Sequence, residues 1–394
     1  MIVSIVAVLA LVGLAIDSGH LQLVKVRMQT AADAAALGAV NELRVSGAAG
    51  VNAAAIADAA LNGFENGRDA VSVTVENPPS SGYYRNDPTA VQVSVSQSVG
   101  SLFMGVLGFQ HTSVKARSVA RRGSGPNCVY VLDPSVTGAF SASGGAIIRM
   151  SCGVMIDSTH ASALSLSGGA GLTAASVTVG GGVSTSGGAT VSPAPSTYAA
   201  VETDPLAYLA APTVGGCGQT GYSLSSGNVA TISEGVYCNG ISVSGGATLH
   251  LNAGTYIIKG GGITVAGSST LTGSGVTIYL TAGSGYSYGA VSLSGNAIVQ
   301  LRAPTTGPLA GMLFFQDRSI VGGAASTITG GAGSYFTGAL YFPTTSVSYS
   351  GGTDTEYTIL VAKRLTITGG STIHSDYSSL PTGSPVKGNA VLSE

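Results

Sequence analysis

A long N-terminal α-helix, a small α+β head and an all-β right-handed parallel β-helix, or solenoid, form the fold class this sequence predicts. Three observations predict it. The chain opens on an uncharged apolar run, Met1 to Ile16, that passes into an Ala-rich helical stretch ending near Leu43. It then shows alternating strands between residues 50 and 122, and from Asn127 onward it repeats a short strand followed by a Gly-Gly corner. The corresponding boundaries are 1–49 for the helix, 50–122 for the head and 127–394 for the solenoid, with a loop excursion near 192–216.

Met1 to Val24 contains one formal charge, Asp17, and at 1.5 Å per residue it covers about 36 Å, enough for a bilayer core. No Lys or Arg precedes the apolar run and no small-residue cleavage site follows it, so it reads as a retained helix at the start of an already processed chain. The pattern continues through Lys25 and Arg27 into Ala31, Ala32, Ala34, Ala35, Ala36 and Ala39, a rod on the order of 60 Å that a membrane alone does not require. Small residues allow close helix approach. Two readings follow, a membrane anchor with a helical stalk and a helix that leaves the bilayer to pack in a filament core. An unpaired carboxylate in hydrocarbon is costly, so Asp17 needs a partner: Lys25, Arg27, or a neighbouring subunit's terminal amine. On the filament reading, Ile5, Leu9, Leu14, Asp17, Lys25, Arg27, Ala32 and Ala36 carry assembly.

The stretch LVGLAIDSGHLQLVKVRMQTAADAAALGAVNEL, Leu11 to Leu43, resembles the opening of the TadE/TadG-like proteins of Flp (Tad) pilus systems. The resemblance covers about the first 120 residues. It implies a bacterial, membrane-inserted, pilin-like subunit facing the outside. Type IV pilins carry an acidic residue close to the mature N-terminus, where this chain has Ser4 and Ile5.

Within 50–122, Val51, Ala55, Ile56, Ala59, Ala60 and Phe64 have helical spacing. Val71, Val73 and Val75, and then Val91, Val93 and Val95, alternate as half-buried strands around an Asn77–Gly82 turn. A short apolar helix over Val99–Phe109 and a strand over Val114–Val119 complete the head. Arg121-Arg122 and the Gly-Ser-Gly-Pro that follows mark the boundary.

From Asn127 the Gly-Gly corner recurs at Gly144, Gly168, Gly187, Gly245, Gly351 and Gly369, with degenerate copies at Gly267 and Gly295. Separations of 24, 19, 22, 28 and 18 residues suit one coil of a solenoid. Strands such as Ile241–Val243, Ile263–Val265, Val291–Leu293 and Leu365–Ile367 would point alternate side chains into a narrow core. Short strands without aromatic girdles argue against a lipid-facing barrel. Pro193–Pro212 reads as a surface loop between two sets of coils. The texture of this region also resembles the β-helical ectodomains appended to some TadG-like proteins.

Of the four cysteines, Cys128 and Cys152 are 24 residues apart, and Cys217 and Cys238 are 21 apart. Three connectivities are open, and these two pairs would each tie adjacent coils in an oxidising compartment. A zinc site would normally show CxxC-like spacing, which is absent.

Composition restricts function. Only 9% of residues are charged and the net charge is −2, which argues against nucleic acid. Gly contributes 59 residues and there is no Trp, a profile of extracellular repetitive β-structure. Candidate carboxylates are sparse: Asp317 beside Arg318, which reads as an ion pair at a turn, Asp354 with Glu356, and Asp376 with His374. No GGxGxD, GxSxG or HExxH appears, and His20, His111, His160 and His250 lack metal spacing. No cofactor, metal or enzymatic activity is expected. Tyr286, Tyr288, Tyr335, Tyr341 and Tyr349 offer stacking platforms for a surface polysaccharide, or core residues of the coils.

The reading is a non-enzymatic subunit of an extracellular pilus-like filament. It would polymerise with itself through N-terminal helices, pass through the inner membrane and engage a pilus assembly machinery. The alternatives are a membrane-anchored or tip adhesin or accessory protein and, more distantly, a polysaccharide-active enzyme.

Overall fold

The computed structural model describes residues 2–45, 47–124, 127–200, 204–350 and 356–393. Among these described residues there are two α-helices, and the rest is built mostly of strands. The chain divides into two compact units, Met1–Ser124 with Lys387–Glu394, and Gly125–Val386.

In the first unit α1 spans Ile2–Val45 and α2 spans Ala48–Leu61. Met28, Ala31, Ala32, Ala35, Ala36, Ala39, Val40 and Leu43 form a stripe at three- and four-residue spacing, and every one is buried. Small side chains bring the backbones close. A Cβ at Gly38 would collide with the Asp58 carboxylate of α2. Beneath the helices lies an antiparallel sheet of β1 (Val71–Glu76), β2 (Ala90–Gly100), β3 (His111–Ser124) and the C-terminal strand Lys387–Leu392, in that order. Val71, Val73, Val91, Val93 and Val95 alternate toward the helices and close the core.

Two expectations change here. The apolar helix expected over Val99–Phe109 is shorter, because β2 runs to Gly100 and only Met104–Leu107 turn, as a 3₁₀ helix. The C-terminal strand, expected in the solenoid, pairs with β3 through Ser124–Lys387 and Ala120–Leu392.

The second unit is not the right-handed parallel β-helix solenoid that the repeats predict. Its strands do pair in parallel, in a twenty-stranded sheet and a four-stranded one. Their order is what departs from a solenoid, in which each tier stacks on the next in chain order. Strand Thr358–Ile367 pairs on one side with Tyr335–Ser350 and on the other with Asn127–Val131 and Phe140–Ala142. The last tier thus docks on the first, in the middle of the stack. One end is formed by Val177–Val179 and its neighbours, the other by Gln219–Leu224. The physical reason is that strand period and turn chemistry encode a tier's local shape, whereas the choice of neighbouring tier is a long-range pairing that no single repeat carries.

The core crosses that seam without interruption. Tyr256, Ile278, Phe314, Leu340, Leu360, Val129, Val154 and Val177 are successive partners in one ladder. All eight are buried, at a gain of about 1.5–3 kcal/mol for each large apolar side chain.

Gly-Gly corners form where expected at Gly144, Gly168, Gly187 and Gly245, with both residues left-handed. The degenerate copies do the same with Gly267-Ser268 and Gly295-Asn296. Stacking demands Gly as much as conformation does, since a Cβ on Gly187 would lie 3.0 Å from the Gly168 nitrogen. Gly369 has no left-handed backbone, and Gly351 lies outside the described residues.

Cys128–Cys152 and Cys217–Cys238 are disulfides, with Cα atoms 5.7 and 5.6 Å apart. Each joins neighbouring tiers. In the chain-entropy model loops of this size give about 3 kcal/mol apiece.

Candidate functional site

The first unit places its most unusual polar arrangement on the outer half of α1. Asp17 is 3% exposed although the residues on either side of it are open to solvent. Its cover is the loop between β2 and β3. The Leu102 amide donates to Oδ1 at 2.8 Å, the Met104 amide to Oδ2 at 2.6 Å, and the Phe103 amide reaches both oxygens at 3.2 and 3.0 Å. Three successive N–H groups at the start of a 3₁₀ helix would otherwise lack partners, and they favour negative charge.

Gly13, one turn before Asp17 on the same face, completes the joint. A Cβ there would lie 2.8 Å from the Phe103 Cβ, so Gly is what lets the loop close on the helix. Beside the joint is an open cavity of about 560 Å³ lined by Leu14, Asp17, Leu21, Lys25, Met104 and Lys115.

The Asp17 carboxylate is therefore held within its own chain, by backbone amides rather than by Lys25, Arg27 or a neighbour's amine. No position in sequence pointed to Leu102–Met104. The only available signal was an acid in an apolar helix. Ala32 and Ala36, expected between subunits, are 0% exposed inside the unit's own core. Leu14, Lys25 and Arg27 are exposed, together with Val12, Ile16, Leu23 and Val26. The side chains of Ile5 and Leu9 lie outside the described residues. Among the described residues no helix is long and apolar enough to cross a membrane.

In the second unit the candidate carboxylates are engaged in structure. Asp317 and Arg318 do not pair with each other. Asp317 accepts the Thr281 hydroxyl at 2.6 Å and the Ser319 amide and hydroxyl at 2.9 and 2.8 Å. Burial pushes its carboxyl up, and these hydrogen bonds outweigh burial and leave it below the usual carboxylate range. Arg318 donates to the carbonyls of Leu206 and Leu209 at 2.6 and 2.9 Å and to the Tyr341 hydroxyl at 2.6 Å. It also lies 5.1 Å over the rings of Phe315 and Tyr341. Tyr341 in turn donates to Asp204 at 2.5 Å. This cluster clamps the segment that carries the chain from one end of the stack back to the other.

Glu356 pairs with Arg302, and Asp376 accepts the Ser378 amide at 3.0 Å in a turn. His374 meets Thr358 through its backbone carbonyl, and Asp354 lies outside the described residues. Of the tyrosines, Tyr341 and Tyr349 are buried, whereas Tyr286 and Tyr335 are half-buried. Lys259 lies 5.8 Å over Tyr286 and Arg302 lies 4.8 Å over Tyr335.

A helix half sunk in an α+β unit and half projecting, with Asp17 clasped where it emerges, characterises the first unit. Residues 1–42 match the family model described as Flp pilus-assembly TadE/G-like, and residues 29–120 match the one described as Tad-like Flp pilus-assembly. These matches cover the first 120 residues of the chain and support a protein related to Tad-type pilus assembly. No curated protein and no solved structure matches it.

Proposed function

We propose that this chain is a non-enzymatic structural subunit of an extracellular pilus-like filament. It is inserted in the inner membrane before assembly, is delivered by the pilus assembly machinery, and polymerises through its outer N-terminal helix. The observation that carries this reading is the division of α1. From Met28 onward the apolar face is used up within the unit, while Val12, Leu14, Ile16, Leu23 and Val26 are 43–61% exposed. Cohesion between copies then belongs to the segment up to Val26, and Ala32 and Ala36 act in the unit's own stability. The second unit is presented to the outside medium as a low-charge, disulfide-tied body.

The half-buried Tyr286 with Lys259 and Tyr335 with Arg302 support a second reading, an anchored or tip adhesin that contacts a surface polysaccharide. Electron microscopy of material sheared from the producing cells, with mass spectrometry of that fraction, separates the two. Uniform filaments dominated by this chain are expected for a subunit. Its retention in membranes, or presence only in traces, would select the adhesin or an accessory role.

A further inference from the structure

The loop that clasps Asp17 has a feature the clasp does not use. Leu102, Phe103 and Phe109 are 64%, 50% and 62% exposed, three large apolar tips on one short loop, where a water-facing surface would normally be polar. All three sit at one level of α1: Phe103 lies against Gly13, the Leu102 amide reaches Asp17, and Phe109 lines the cavity with Leu14. On the N-terminal side of that level the helix carries no charge from Met1 to Ile16. On the other side come exposed cations, Lys25 and Arg27 on α1 and Lys115 on β3.

Apolar tips followed by cations along one axis is the distribution of a segment lying at an acidic headgroup layer. We propose that the Ser101–Gln110 loop is a membrane-interfacial anchor, whose apolar tips enter the headgroup–acyl boundary of an anionic bilayer beside α1. This rests on the reading that the N-terminal run is membrane-inserted before assembly. The Asp17 clasp then marks the plane at which the helix leaves lipid. The uncharged run from Met1 to Ile16 then lies in the hydrocarbon, and the loop tips occupy the boundary layer above. The three amides supply the hydrogen bonds that a carboxylate loses on leaving water at that depth.

The chain has no Trp, so Phe109→Trp in the full-length protein places a single reporter in the loop. Tyr83→Trp places one in the loop between β1 and β2, at the opposite end of β2, on a residue 85% exposed. Both are reconstituted into phosphatidylcholine–phosphatidylglycerol vesicles with acyl chains brominated near the headgroup. The expected result is blue-shifted, roughly twofold-quenched emission from the loop reporter and no quenching at position 83. Leu102→Trp, on a second exposed tip, repeats the measurement should Phe109→Trp disturb the loop. A protein that floats with the vesicles but whose loop reporters stay unquenched keeps the inserted helix and overturns the loop anchor. A protein that does not float overturns both. A blue shift that grows with protein concentration and ignores the bromines shows a second copy covering the patch, and also overturns the proposal.

Discussion

Gly13 and Asp17 lie one turn apart on α1, and a single residue answers both: Phe103 packs its side chain over Gly13 and donates its amide to the Asp17 carboxylate. Asp17→Ala strands the three loop amides, and Gly13→Ala forces Phe103 away. For either variant, hydrogen exchange of peptides covering Ser101–Phe109 is expected to speed up by roughly tenfold or more, because local opening sets their protection. Unchanged exchange would show that the loop is held by something else.

On the proposed function, stability and assembly separate along the same helix. Ala36→Leu adds volume to a fully buried stripe and is expected to destabilise the first unit by about 1–3 kcal/mol. Leu14→Ala, on a residue 49% exposed, is expected to leave stability within about 0.5 kcal/mol while lowering filament yield. Thermal unfolding and sheared-filament yield, measured on both variants, check the division. An unchanged melting temperature for Ala36→Leu would contradict it.

Arg318 holds two carbonyls with one planar fork, which an ammonium cannot reproduce. Arg318→Lys is expected to cost about 1–3 kcal/mol and to make the 204–216 segment the first site of limited proteolysis. Equal digestion of the two proteins would remove the clamp from the account.

Asp317 gives a pH test. Its carboxyl lies below its ordinary value of 3.8 in the folded chain. A depressed carboxylate contributes stability that is fully present above the unfolded value and is lost as pH falls through the folded one. The melting difference between wild type and Asp317→Asn should therefore hold from pH 7 to about 5 and shrink below about 4. A difference that grows in acid would reverse the assignment.

Much of this structure was legible in the chain, and the divide falls between local and distant information. The Ala-rich helix up to Leu43, the valine alternation of β1 and β2 and the Gly-Gly corners are written in short-range spacing; the helix and strands formed, and so did the corners at Gly144, Gly168, Gly187 and Gly245, though not the one at Gly369. The cysteine pairs formed as well, because each spans about one tier. The partners of Asp17 are backbone amides 85 to 87 residues away, and amides leave no mark in a side-chain pattern. Ala32 and Ala36 were legible as a close-packing face, but spacing does not say whether the facing helix is α2 or another copy. The pairing of Leu360 with Val129 had no signature, since both tiers read like all the others.

That pairing bears on how the second unit is made. Val129 emerges early from any chain that is synthesised or exported from its N-terminus, yet the strand that covers it ends at Ile367. Its first three tiers must wait with one edge bare until the last has arrived, so folding here is governed by long-range loop closure rather than by stepwise growth from one end. Until then the exposed edge is open to pairing with another chain. That edge stays bare for the whole interval between Val129 and Leu360, and a truncation just before Thr358 would leave it bare for good.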